Sequence, residues 1–364
     1  MLTTARGAAA RAWVEVDLDA VRRNAEAVRR RAGVPIVPMV KADAYGLGAV
    51  PVARALEPLD PWAFGVATVA EGEELRAAGI ARPILVFTPL PPCELPAARA
   101  ARLTPVLGDP AAIAAWARGG RDPWHLGIDT GMSRAGIRWD EVGALRDLVA
   151  ELPPQGACTH FHSAQLDDDS RDVQERRFAD ALAALPARPS VTHVENSAAV
   201  ERRAPSRWSL ARPGIFLYGV GCGNGAVEPD PVVALRARVV ELRAVEAGES
   251  VSYDATWRAS SRRRVATLAI GYADGYRRAL GNRAAVLVGG TEVPVIGVVT
   301  MDMTMIDVTD VPCAVGDVAT LIGADGGRRL SVAEVARAGG LSPYELLTGL
   351  RSRVTRLYAG GGSE

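Results

Sequence analysis

From Trp13 to about Tyr218 the chain alternates short apolar runs with amphipathic stretches. WVEVDL is followed by DAVRRNAEAVRRR, IVPMV by AVPVARALE, WAFGVA by VAEGEELRAAG, and ILVFT by LPAARAA. The pattern continues through TPVL, PAAIAAWARG, PWHLGI, DEVGALRDLVAEL, ACTHFH, VQERRFADALAAL, SVTHV and a short NSAAVERR segment. Apolar runs of strand length between stretches of helical period predict strand-helix units around a parallel sheet. The strands number about eight, which predicts an α/β chain opening with a (β/α)8 TIM-type barrel over residues 12–228, its chemistry at the carboxyl ends of the strands. After Gly219 the texture changes to long, Val-rich alternating segments such as VVALRARVVELRAV, RRRVATLAIGYA and EVPVIGVV, broken by Gly, Pro and Asp turns. They predict a mainly-β domain over 229–364, with residues 1–11 as candidates to join it. VEPDP, around Pro229 and Pro231, is the expected linker, and SVAEVARAG and SPYELLTGL the expected closing helices.

Composition narrows the classes. A chain of 364 residues, 48% of them hydrophobic, can bury a substantial core. Its 42 basic and 42 acidic side chains cancel, so no net field draws it to nucleic acid or to an anionic membrane. Cys93, Cys158, Cys222 and Cys313 are scattered without CxxC spacing, which argues against a zinc site or a disulfide scaffold. The start MLTTARGAAARAW lacks the apolar centre of a signal peptide, and no later run reaches the length of a membrane span. A soluble, cytoplasmic protein that handles small molecules is expected. The Asp167-Asp168-Asp169 run reads as a solvated loop, so no metal is predicted. His125, His162 and His193 read as structural.

Lys41 is the only lysine; every other member of the basic count is arginine. A GC-rich coding bias accounts for the depletion but not for the one survivor. Arginine cannot replace lysine where a nucleophilic amine is required, because guanidinium stays protonated and does not condense with an aldehyde. Lys41 directly follows the apolar run IVPMV and precedes AYGLG. Position and uniqueness by themselves fit a Schiff-base lysine and an exposed surface lysine equally well.

The string VKADAYGLG resembles the pyridoxal-phosphate (PLP) lysine signature of the alanine racemase family, and the likeness extends along nearly the whole chain. IDTGMSRAG at 128–136, THFHSA at 159–164, ENSAA at 195–199 and RPGIFLYG at 212–219 fall in the family's order. VSYDATW at 251–257, GYADGY at 271–276 and MDMTMID at 301–307 follow in register. The resemblance implies an amino-acid racemase that interconverts L- and D-alanine, supplying D-alanine for peptidoglycan. It implies Lys41 as the lysine that holds PLP and as one acid/base group, with Tyr253, from the second subunit of a homodimer, as the other. A proton taken from one face of Cα must be returned to the opposite face, so two bases are needed. A phenol with a pKa near ~10 is a poor base at neutral pH unless a cation favours phenolate, and Arg134 matches the arginine beside that tyrosine. Arg212 matches the residue facing the pyridine nitrogen, to which an arginine donates without giving up its proton. Tyr45, Ser197, Gly214 and Ile215 match the phosphate site, with Asn196 beside them. His160 matches the histidine against the ring, and Tyr272, Met301 and Asp302 match residues that line the mouth or meet the substrate carboxylate.

Four positions depart from the family pattern. Leu47 replaces the usual histidine of the lysine motif. Gly127 stands where many members carry a carbamylated lysine that supports the arginine, so an anion such as chloride, or an acidic side chain near Arg134, is expected in its place. Ser352, in RSRVTR, aligns with the tyrosine of the family's SYRVPR string, which predicts one phosphate hydroxyl shortened. Asp254 stands where glycine is usual and either raises the pKa of the adjacent phenol or points to solvent. Rival readings are a racemase for serine or for several amino acids, and a non-catalytic PLP-binding homeostasis protein, which would be a single barrel and would not need Tyr253.

Overall fold

The computed structural model describes residues 10–223 and 227–361. Strands β2 (Phe64–Val66), β3 (Ile84–Val86), β4 (Thr104–Leu107), β5 (His125–Asp129), β6 (Gly156–Cys158) and β7 (Val191–His193) pair in parallel, each with the next. Two further segments close the ring. Residues 36–40 bridge to Gly65 through Met39 and to Ala211 through Ile36, and Leu210 bridges to His193, all in parallel. Pro35, Pro38 and Pro213 lack an N–H, so these two segments form isolated bridges instead of full ladders. Their carbonyls still accept, from Ala211, Gly65 and Met39 respectively. Eight staves in all make the barrel anticipated from the alternation.

The second domain is built on β8 (Val233–Val245), whose burial alternates along its first half. That half lies between β1 (Ala12–Asp17) and Val318–Asp325, while its second half pairs with Arg263–Leu268. WVEVDL, which reads as the barrel's opening strand, therefore belongs to the other sheet: β1 pairs antiparallel with β8 and parallel with Thr355–Ala359. The reason is visible in its pattern. Val14 and Val16 are fully buried while Glu15, on the opposite face beside Trp13, is half-buried and pairs with Arg236 at 2.9 Å, a charge that a strand covered by apolar side chains on both faces would not carry. The true first stave, IVPMV, is apolar at every position, as a strand covered on both faces must be. Residues 10 and 11 join the same sheet through Arg238 Nε to Ala10 O and Arg11 Nε to Ala269 O.

The linker is tied down. Asn24, on the helix Leu18–Ala32, exchanges hydrogen bonds with the backbone of Asp230, and Arg23 pairs with its carboxylate at 2.5 Å. One hydrophobic core runs from the barrel helices into the β domain without a break. Both units thus pack as a continuous body, with the carboxyl ends of the staves opening on a cavity.

Candidate active site

Lys41 ends the first stave and opens an unusual turn. Ala42, Asp43, Ala44 and Tyr45 all have left-handed backbone, with φ of 52°, 54°, 51° and 58°. Side chains with a Cβ avoid this region at a cost of roughly 1–2 kcal/mol per residue, so outside contacts must hold the turn. Asp43 Oδ1 accepts from Ala49 N at 2.7 Å, Arg356 donates to Gly46 O at 2.9 Å, and Glu71 Oε1 accepts from Ala42 N at 2.8 Å. The turn places Lys41 and Tyr45 on the wall of a cavity of about 340 Å³.

Arg134, His160, Asn196, Ser197, Arg212, Gly214 and Ile215 line the same cavity, so every site residue expected from the barrel domain converges there. Arg212 is its most constrained member. The guanidinium donates to the carbonyls of Thr159 at 2.7 Å and Val194 at 3.0 Å, to that of His193, and to Nδ1 of His193 at 2.9 Å. A longer contact of 3.3 Å reaches Nδ1 of His160. Because guanidinium only donates, both imidazoles must present a lone pair at Nδ1 and stay neutral. Burial, reinforced by the charges of Arg212, Arg134 and Lys41, pushes His160 down to about 3. Burial also lowers Lys41, helped by Arg134 and Arg212 and opposed by Glu71. An amine less strongly protonated than a free lysine is better suited to condense with an aldehyde.

At the other wall, Asn196 caps its helix by accepting from Ala199 N at 3.0 Å. Ser197 Oγ accepts from Gly214 N at 2.9 Å and Phe216 N at 3.4 Å, which leaves its own O–H free to donate into the cavity. Gly214 is glycine for space: a Cβ there would stand 2.4 Å from the Tyr45 hydroxyl. A lone amine, hydroxyls of Ser197 and Tyr45, and a fixed guanidinium at the floor fit an aldehyde bearing an anionic group.

Tyr253, Tyr272, Met301 and Asp302 do not line this cavity. They stand on loops of the β domain, with Tyr253 67% and Met301 52% exposed. Tyr272 N donates to Thr300 O, and Ser252 Oγ to Val298 O, which gathers the three loops. Asp302 pairs with Arg353 at 2.7 Å. Asp254 has φ of 61°, the backbone that explains a usual glycine, and its carboxylate turns to Arg278 at 3.4 Å.

Leu47 is fully buried in the core. Gly127 lines the cavity, and among the described residues no carboxylate lies within 4.0 Å of the Arg134 guanidinium. Asp129, nearby, is engaged with Gly131 N and Ser133 N. At the carboxyl end the finding differs from the reading of Ser352. Ser352 is exposed on its loop, but Tyr344, on the helix Pro343–Thr348, lines the cavity and packs on Tyr45 with ring centroids 5.8 Å apart. A long-reach hydroxyl is thus present, supplied by SPYELL, which reads only as a helix. Glu71 is the other residue missed, although the T-x-x-E spacing of Thr68 and Glu71 was visible as a capping box.

A closed barrel with one amine at a stave end, beside a strand-rich domain that presents exposed tyrosines, defines a class of lysine-dependent barrel enzymes. Residues 16–221 match the family model "Alanine racemase, N-terminal domain", and residues 232–358 "Alanine racemase, C-terminal domain". The chain is 40% identical to the alanine racemase of Symbiobacterium thermophilum over 96% of its length and 97% of that protein's. With the alanine racemase of Geobacter sulfurreducens it shares 41% over 94% of its length and 96% of that protein's. The crystal structure of the Bartonella henselae alanine racemase, with covalently bound pyridoxal phosphate, superposes with a TM-score of 0.89 at 28% identity, covering 96% of this chain and 100% of that one. The chain belongs to the alanine racemase family.

Proposed function

We propose that this chain interconverts L- and D-alanine, with pyridoxal 5′-phosphate carried on Lys41, in a cytoplasmic homodimer that supplies D-alanine for peptidoglycan. The observation that carries the reading is a split site. The cavity holds an amine, an arginine floor and hydroxyl donors, while the tyrosine expected to act as second base sits exposed on the other domain. A second copy that lays its β-domain loops over the cavity completes the constellation.

PLP, when bound, would supply an aldehyde for the substrate amine and an electron sink that makes the Cα proton removable. The chain's own groups do the rest. Ser197, Tyr45 and Tyr344 would hold its phosphate with their hydroxyls, and Arg212 would meet its ring with a guanidinium that gives up no proton. The Lys41 amine holds or returns a proton on one side, and the Tyr253 phenol of the second copy does so on the other. Arg134 is the cation that favours phenolate, and with no carboxylate among the described residues within 4.0 Å of it an anion such as chloride is the partner proposed for it. Tyr272, Met301 and Asp302 of the second copy line the mouth or meet the substrate carboxylate.

The test is racemisation of L-alanine with PLP present, read by chiral chromatography, with L-serine, L-lysine and L-arginine in parallel. Conversion of alanine above the others, abolished in Lys41→Ala, is the expected result. Turnover of another amino acid alone would reassign the substrate, and PLP binding without any turnover would favour the non-catalytic reading.

A further inference from the structure

Four consecutive residues with left-handed backbone follow Lys41, and none is glycine. The sum of their backbone costs, several kcal/mol at roughly 1–2 each, exceeds what a short turn offsets by itself. Such strain persists only where the surroundings over-determine it. The N–H nearest the lysine, that of Ala42, goes to a side chain from the neighbouring unit: Glu71 Oε1, at 2.8 Å. The other oxygen of the same carboxylate accepts from Ala67 N at 2.7 Å and Thr68 N at 3.3 Å, just beyond the carboxyl end of β2. Glu71 therefore spans the ends of the first two staves, one oxygen on each.

Its charge also matters for the amine. The groups that act on Lys41 are Arg134 from the loop after β5, Arg212 from the eighth stave, the neutral His160 at the end of β6, and Glu71. Two cations and burial oppose the ammonium, and Glu71 is the carboxylate that favours it. Asp43, although next in sequence, is turned to Ala49 N.

We propose that Glu71 is a positioning residue for racemisation: its carboxylate clamps the left-handed turn to the second stave, fixes where the Lys41 amine stands in the cavity, and is the counter-charge of that amine. The inference rests on Lys41 being the reacting amine. A glutamine cannot substitute, because its amide nitrogen is a donor and would face either the N–H of Ala42 or those of Ala67 and Thr68.

Because Lys41 is the only lysine, protein grown on side-chain ¹³C-labelled lysine gives a single Cε resonance, whose shift follows the protonation of that one amine. The full chain, freed of PLP, is titrated as wild type, Glu71→Gln, Glu71→Ala and Thr68→Ala. Thr68→Ala removes the other half of the capping box, in which Thr68 Oγ1 accepts from Glu71 N at 3.2 Å, and leaves the carboxylate in place. The Lys41 midpoint is expected to fall by about one unit in Glu71→Gln, and to stay at the wild-type value in Thr68→Ala even though that variant melts earlier. In the PLP-loaded enzyme, kcat for L-alanine is expected to fall about 10- to 100-fold in Glu71→Gln with KM within about threefold. A folded Glu71→Gln protein with unchanged midpoint and kcat, or an equal midpoint shift in Thr68→Ala, overturns the proposal. The titration needs no turnover, so it reports on Glu71 even if alanine proves not to be the substrate.

Discussion

Every hydrogen-bond partner of Arg212 is an acceptor, and the demand passes on to the residues behind them. His193, which accepts a hydrogen bond from Arg212 at Nδ1, must donate through Nε2, and it meets Nδ1 of His125 at 2.7 Å. Both rings are fully buried, and burial pushes His125 down to about 4 and His193 well below its usual range. This gives a signed pH dependence. Between about 6.5 and about 4 the unfolded chain binds protons that the folded chain refuses. Stability from this pair is complete above the unfolded value and is lost as pH falls through that window, on the order of 3 kcal/mol for His125. Denaturant unfolding at a series of pH values should show the loss, and His125→Gln should flatten it. The sequence marks these histidines as structural, but nothing in it shows that the structure they serve is the floor of the site. That connection depends on β5 and β7 being close in the barrel, which a strand count does not supply.

At the level of elements, the legible parts were those with a strong local signal. Continuous apolar runs marked the buried staves, and the change of period after Gly219 marked the β domain. The illegible parts arise where local chemistry is overruled from a distance. Nothing in KADAYG indicates a left-handed turn, since three of its four left-handed residues are alanine or tyrosine. The conformation is imposed by Glu71, Asp43 and Arg356. WVEVD reads as a barrel strand because a run of strand residues does not declare its sheet; its pairing with β8 and Thr355–Ala359 does. Strain elsewhere can be tested directly. Asp254 sits at φ 61° with an exposed partner 3.4 Å away, and such exposed pairs contribute little. Asp254→Gly should therefore melt at the same temperature or about 2 °C higher, read by calorimetry. A clear fall would mean the Arg278 contact outweighs the backbone cost.

For the whole molecule, the division of the proposed site between two domains makes a quantitative demand on mixed dimers. Tyr253→Phe alone should lower racemisation by about 10²- to 10⁴-fold while PLP still loads on Lys41. Lys41→Ala alone should be inactive. When equal amounts of the two are exchanged, about half of the dimers are mixed, and each has one site with both wild-type groups. About a quarter of wild-type activity should return. No recovery after verified exchange would place Lys41 and Tyr253 of one site on the same chain. The pairing of β1 with Thr355–Ala359 bears on how the protein is made. The two strands are separated by roughly 340 residues, and at ribosomal speeds of about 5–20 residues per second the first waits about 20–70 s for the second. The barrel between them can be complete while Trp13 and Val14 have no finished sheet to enter. The newborn chain thus carries β1 with an open apolar edge until Thr355–Ala359 emerges, and that interval is when a second nascent copy or a chaperone has most to bind.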